Sequence, residues 1–233
     1  MAGMTDSILE QAPERFPDAS CSFPLAGPAG KLEVGTDVPQ ETPARRGTAV
    51  ICHPHPLHGG TMHNKVVTMI ERALRESGLA TVRFNFRGVG KSEGAFDEGR
   101  GEGDDLAAVV EWVRAARPDD AVWLAGFSFG SFVSLANAVR LDAAALVSVA
   151  PPVERSYDFD AIELPTCPWL VIQGEEDEVV DAEKVFAWLA SIDREPTIIR
   201  MPETSHFFHR RLLDLRGAIK NAVRTWLPPE RQA

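Results

Sequence analysis

The sequence predicts an α/β fold, a mostly parallel sheet covered by helices on both faces, on three observations. The chain has 233 residues, 44% of them hydrophobic, which is enough for one substantial core and the size of one large α/β domain. From Thr48 onward, short apolar strand-like runs alternate with stretches whose apolar residues recur at helical spacing. Such a β-then-α rhythm builds parallel strands joined by helical crossovers. Before Thr48 the text is all β, an opening antiparallel hairpin. The expected boundaries are a flexible N-terminal segment at 1–19 and a single domain at 20–228.

The hairpin strands are expected near Ser22–Leu25 and Lys31–Val34, separated by the turn-forming Ala26-Gly27-Pro28-Ala29-Gly30. Pro39–Gly47 is a polar connection, and Thr48–Cys52 a short buried strand. Lys65–Ser77 places Val66, Ile70, Ala73 and Leu74 on one helical face, and Gly78 supplies a natural stop. Leu79–Phe86 is the next strand. The glycine- and acid-rich run from Gly94 to Asp105 is expected as a surface loop. Asp104 and Asp105 then suit a helix start, where acids meet the positive end of the dipole, with Leu106, Val109, Val110 and Val113 as its apolar stripe. Ala121–Ala125 is a strand. Phe129–Arg140 is a helix with Phe132, Val133, Ala136 and Val139 on one side, and Ala144–Val149 a further strand. The strand Trp169–Gln173, a helix around Ala182–Ser191, the strand Thr197–Met201 and a final helix near Arg210–Trp226 complete the series. Only about 19 residues separate the strands at Ala144–Val149 and Trp169–Gln173, too few for a large lid.

A formal net charge of −10 sets the protein's own field against a polyanion, so nucleic acid is not an expected partner. No stretch approaches the roughly 20 apolar residues of a membrane span, and the N-terminal residues lack the basic start and apolar run of a secretory signal. A cytoplasmic protein without a membrane partner is expected. Cys21, Cys52 and Cys167 are scattered and show no C-x-x-C spacing, which favours free thiols over disulfides or a thiolate zinc site.

The strongest local signal is Gly126-Phe127-Ser128-Phe129-Gly130, between a predicted strand and a predicted helix. That is the setting of a nucleophile elbow. The serine must occupy a tight strained turn, and flanking glycines let neighbouring backbone pass where a Cβ would clash. The plain alternative is a glycine-containing turn with an incidental serine. A hydroxyl needs a base to take its proton. His206 follows the last strand, at the sheet edge where loops after parallel strands gather, while His209 is expected to begin the final helix. The base needs a carboxylate on its far nitrogen. Asp177 follows the strand Trp169–Gln173 and lies between serine and histidine in chain order, with Glu175 and Glu176 its competitors in a crowded acidic loop.

The turn His53-Pro54-His55-Pro56-Leu57-His58-Gly59-Gly60 holds three of the six histidines. A zinc reading is weakened by Leu57, which stands where zinc hydrolases of this spacing carry an acid, and by the lack of a further ligand with persuasive spacing. The turn reads better as an oxyanion loop, with the backbone N–H of His55 as one donor and that of Phe129 as the other. Pro54 and Pro56 have no N–H to give, which leaves Leu57 as the fallback. No metal or other cofactor is then required. Gly90-Lys91-Ser92 looks like the end of a phosphate-binding loop, but Asn85 stands where that motif requires glycine.

Taken together, CHPHPLHGGTMHNK at Cys52–Lys65, FNFRGVGKSEG at Phe84–Gly94, the elbow GFSFGS and the late Asp177 and His206 resemble small bacterial α/β-hydrolases of the dienelactone-hydrolase-like sort. The resemblance runs from about Thr48 to Leu227. It implies an α/β-hydrolase fold and an esterase-like serine hydrolase acting on a small-molecule ester. Dienelactone hydrolase itself uses a cysteine nucleophile where this chain has Ser128, so that substrate is not implied. Arg87 matches a recurrent superfamily feature and is expected to be structural. An open pocket points to small or short-acyl esters. Thioester or amide cleavage on the same residues, and a non-catalytic binding protein with the same fold, are the alternatives. Nothing in the sequence compels an oligomeric state.

Overall fold

Apolar runs bounded by glycine and proline become the strands of one sheet in the computed structural model, which describes residues 7–153 and 157–232. Its strands are β1 (Ser7–Ile8), β2 (Cys21–Gly27), β3 (Gly30–Asp37), β4 (Gly47–Cys52), β5 (Ala80–Phe84), β6 (Ala121–Phe127), β7 (Ala145–Val149), β8 (Trp169–Gly174) and β9 (Thr197–Met201). The α-helices are α1 (Lys65–Glu76), α2 (Arg100–Ala116), α3 (Phe129–Ala136), α4 (Ala182–Ser191) and α5 (Leu212–Val223). The spatial order is β1-β2-β3-β5-β4-β6-β7-β8-β9. β4 to β9 are mutually parallel, and the β2–β3 hairpin joins antiparallel through β5.

The strands β4, β7 and β8 are buried at every position, as a sheet covered on both faces requires. Side chains alternate between two cores. Ala49, Ile51, Ala125 and Ile172 pack under α1 and α5, whereas Val50, Cys52, Leu124 and Val171 pack under α2, α3 and α4. Strand order reverses at β4, whose successor β5 lies on one side and β6 on the other. A crevice opens at such a switch point beyond the strands' carboxyl ends. The register Cys52↔Gly126 therefore brings the histidine-rich turn after β4 beside the serine after β6.

Three local expectations are corrected by tertiary contacts. The helix expected to begin at Asp104 and Asp105 begins at Arg100, so part of the supposed surface loop is helical. Glu102 caps it, accepting the N–H groups of Asp97 and Gly99 at 2.9 and 2.7 Å. Gly101 and Gly103 sit inside this helix because the Arg87 guanidinium and the Asn137 amide occupy the space of a Cβ. α3 stops at Ala136 rather than Arg140, where the Asn137 side chain takes the carbonyl of Val133 at 2.8 Å. Val139, expected on the apolar face, is exposed, and Ala138 and Leu141 are buried instead. α5 begins at Leu212, leaving His209 in an exposed turn.

Residues 1–6 of the expected N-terminal segment lie outside the described residues. Within its remainder Phe16 is buried and stacks 5.5 Å from Trp112, whose indole N–H donates to the Pro13 carbonyl at 2.9 Å. Between β7 and β8 the described residues form only turns and bends, with 154–156 outside the description, and no element the size of a lid is inserted. Among the described residues no helix is long and apolar enough to cross a membrane.

Candidate active site

Ser128 occupies the turn from β6 into α3 with φ 51° and ψ −120°, a conformation that non-glycine residues hold only under compulsion. The compulsion is visible on both sides. A Cβ on Gly126 would collide with the carbonyl of Gly130, and one on Gly130 with the carbonyl of Cys52. The turn is pinned by Ser128 N–H donating to Val149 O at 2.9 Å and by Ser131 Oγ donating to Ser128 O at 2.7 Å.

The ring of His206 lies against Ser128, with Nε2 3.1 Å from Oγ and Nδ1 2.8 Å from Oδ2 of Asp177. A carboxylate only accepts, so Nδ1 carries the proton and Nε2 is left to accept from the serine hydroxyl. Asp177 is saturated: Oδ1 accepts the N–H groups of Val179 and Val180 at 2.9 and 2.7 Å, and Oδ2 accepts Gln173 Nε2 at 3.0 Å besides His206. Burial alone would raise this carboxyl. The hydrogen bond and charge of His206 and the two amides outweigh burial and hold the group below its ordinary range. Glu175 and Glu176 are exposed and make no hydrogen bond to His206 among the described residues.

Two residues not foreseen from the sequence support this constellation. Gln173 shares Oδ2 of Asp177 with the histidine, and Glu178 accepts the backbone N–H of His206 at 3.0 Å. The acid loop and the histidine loop are also strapped together, Glu175 N–H to Met201 O at 2.9 Å and Glu176 N–H to Thr204 O at 3.1 Å. Gly174 is required there because a Cβ would strike the Thr204 carbonyl. The acidity of residues 175–178 hinted at such a loop but did not say which acid faces which partner.

The three histidines of the turn after β4 take separate places. His53 is fully buried; its Nδ1–H donates to Pro54 O at 2.6 Å and its Nε2 accepts the Phe86 N–H at 3.0 Å. Desolvation lowers its pKa to about 4, against a small opposing effect of the Pro54 carbonyl. His55 accepts the Leu57 N–H on Nδ1 at 3.2 Å, and its ring stacks on His58 at 4.3 Å. A single 3-10 turn at Pro56–His58 ends on Gly59 in the left-handed region. With both nitrogens of His53 engaged, the three rings do not converge, and the described residues hold no group of three His, Cys, Asp or Glu suited to a metal ion. The N–H groups of His55 and Phe129 find no acceptor among the described residues, whereas that of Leu57 is taken.

Gly90-Lys91-Ser92 is tied to β3 rather than open to a phosphate: Lys91 N–H donates to Glu33 at 2.9 Å, and Ser92 Oγ bonds Asn85 O at 2.6 Å. Arg87 grips buried Asp105 through Nε and a terminal nitrogen at 3.0 and 2.8 Å, fastening the loop after β5 to α2. Beside Ser128 lies a cavity of about 160 Å³ lined by His55, His58, Phe129, Pro152, Tyr157, Val179 and Val180. A larger hollow, about 380 Å³ between Trp169, Arg194 and Trp226, contains none of the hydrogen-bonded trio.

Comparison with known proteins agrees with this architecture. A family model described as alpha/beta hydrolase fold matches residues 56–165. An uncharacterized protein of Rickettsia prowazekii is 30% identical over 208 residues, covering 85% of this chain and 87% of that one. A Xanthomonas campestris structure described as an α/β serine hydrolase without lid is 54% identical, with a TM-score of 0.91 over 94% of this chain and 100% of the other. An α/β serine hydrolase homologue from Coxiella burnetii is 47% identical, with a TM-score of 0.85 over 88% and 98% of the two chains.

Proposed function

This chain belongs to the α/β-hydrolase family, among its serine hydrolases, and from that premise we propose that it cleaves small carboxylic esters with Ser128 as nucleophile, His206 as base and Asp177 as the orienting acid. The unbroken hydrogen-bonded chain from Asp177 through His206 to Ser128 Oγ carries the proposal.

In this mechanism Ser128 Oγ attacks the ester carbonyl while its proton passes to His206 Nε2. The carbonyl π pair moves onto oxygen, and the N–H groups of Phe129 and His55 receive the resulting oxyanion. His55 is preferred to Leu57 because the Leu57 amide is already committed to the His55 ring. Each such donor is worth on the order of 10²–10³ in rate. Collapse breaks the bond to the alcohol oxygen, which leaves with the proton held by His206. Water repeats the sequence on the acyl-enzyme, its proton going to His206 and then to Ser128 as the acid departs. Asp177 keeps Nδ1 protonated throughout and balances the transient imidazolium. The cavity suits a small acyl group.

Intact-protein mass spectrometry after treatment with a fluorophosphonate probe tests the proposal. One adduct, mapped to Ser128 and missing from Ser128→Ala, is expected. No adduct on folded wild type would overturn it and bring forward a binding protein with an inert hydrolase fold.

A further inference from the structure

Four rings, those of His55, His58, Phe129 and Tyr157, line the cavity beside Ser128. His55 lies 4.3 Å from His58 and 5.3 Å from Phe129, and Phe129 lies 5.5 Å from Tyr157, centroid to centroid. Tyr157 is itself braced by near-parallel stacking on Phe132 at 4.5 Å and 24°. The aromatic arc thus has a fixed backing on one side. Val179 and Val180 also line the cavity, and their backbone is held by the amides they give to Asp177.

Size narrows the choice of occupant. A cavity of about 150 Å³ with apolar walls holds one benzene ring, and this one measures about 160 Å³. A long alkyl chain would run out of enclosure within a few carbons, while a methyl group would leave most of the walls bare. The His55 ring adds no charge to that wall: burial, and then the neighbouring His58, lower its pKa, and its Nδ1 accepts from Leu57. Aromatic walls favour an aromatic guest over an alicyclic one of equal bulk, because edge-to-face and offset contacts match the ring quadrupoles.

Orientation narrows it further. The leaving oxygen must take its proton from His206 Nε2, and His206 is not part of the cavity lining. The alcohol oxygen therefore sits on the His206 side of Ser128, and the group held in the cavity is the acyl part.

We infer that the acyl part of the substrate is a single aromatic ring carried directly on the ester carbonyl, a benzoyl-type group, held in the cavity that the Tyr157–Phe129–His55 arc lines together with Val179 and Val180. The inference rests on the serine-esterase mechanism proposed above and specifies its acyl specificity.

The test compares the 4-nitrophenyl esters of benzoic acid, cyclohexanecarboxylic acid and acetic acid. Each kcat/KM is divided by that ester's rate of alkaline hydrolysis to remove intrinsic reactivity. The expected result is a normalised preference for benzoate over cyclohexanecarboxylate of about tenfold, falling severalfold in Tyr157→Leu. Acetate turnover with equal normalised rates for the two ring esters would overturn the inference and leave the Ser128 mechanism standing. No turnover of any ester together with no fluorophosphonate label on Ser128 would overturn both. If Tyr157→Leu does not fold, the wild-type ratio decides alone.

Discussion

His53 and His206 differ little in burial, 0% and 2% exposed, and each has both ring nitrogens in hydrogen bonds. Their partners separate them. His53 bridges a backbone carbonyl and a backbone amide, groups that neither ionise nor move, so its ring is fixed as a neutral spacer between the turn after β4 and the loop after β5. His206 bridges a carboxylate and a hydroxyl, one able to stabilise a positive ring and the other able to give a proton. What a histidine can do in a protein interior is decided by the chemistry of its two neighbours, more than by its depth or by the density of histidines around it.

The largest expected effect breaks the side of the comparison that moves protons. His206→Gln should lower kcat for a 4-nitrophenyl ester by about 10⁴–10⁶-fold in protein that is still folded by circular dichroism. A loss under a hundredfold in steady-state assays would remove His206 from the mechanism. Asp177→Asn comes next, at about 10⁴-fold, because an amide can hold the ring in the wrong tautomer. Pre-steady-state traces should show acylation slowed.

His53→Leu tests the other side. It leaves the Pro54 carbonyl and the Phe86 amide buried without partners, which costs about 2–4 kcal/mol of stability in urea unfolding. Catalysis at low temperature should fall far less than in His206→Gln. The same residue predicts a pH dependence. The folded pKa of His53, about 4, lies below its ordinary 6.5. As pH falls from 6.5 toward 4 the unfolded chain takes up a proton that folded His53 refuses. Stability is therefore full above about 6.5 and erodes by about 3 kcal/mol on the way to 4. Unfolding curves of wild type and His53→Leu across that window should converge as pH drops, and parallel curves would show that His53 binds its proton equally in both states.

Legibility in the sequence follows the same division between local and distant partners. The central strands were visible because burial on both faces writes them as apolar runs: β4, β7 and β8 differ from the expected bounds by one residue at one end. The mostly exposed edge strand β9 and the helix α4 also have the expected bounds. Helix ends set by remote side chains were not visible, as at Asn137 beyond α3 and Arg87 against Gly101. At the site, chain order and loop position pointed to Ser128, Asp177 and His206, which the fold brings into hydrogen-bond contact. The partners of His53 lie next door and 33 residues on at Phe86, and Glu178 meets a backbone amide 28 residues away. No spacing rule announces a bond to a distant backbone group. Gln173 was hidden differently, as the polar end of an otherwise apolar strand.

Gln173 also gives the smallest and sharpest test. Its Nε2 donates to the same Asp177 oxygen that receives His206 Nδ1–H, so it shares in keeping that carboxyl ionised. Gln173→Leu deletes one hydrogen bond to a charged acceptor, worth about 1.5 kcal/mol, and should cost about tenfold in kcat. The direction with pH follows from the depressed carboxyl. A group lowered in the folded state contributes stability above its unfolded pKa and loses it as pH falls through the folded one, so weakening the depression moves that loss to higher pH. Gln173→Leu should therefore unfold at a higher pH in acid titrations than wild type, and Gln173→Asn, which keeps an amide on a shorter arm, should fall between them. If Gln173→Leu slowed turnover without moving the acid transition, Gln173 would be packing the end of β8 and not tuning the carboxylate that His206 depends on.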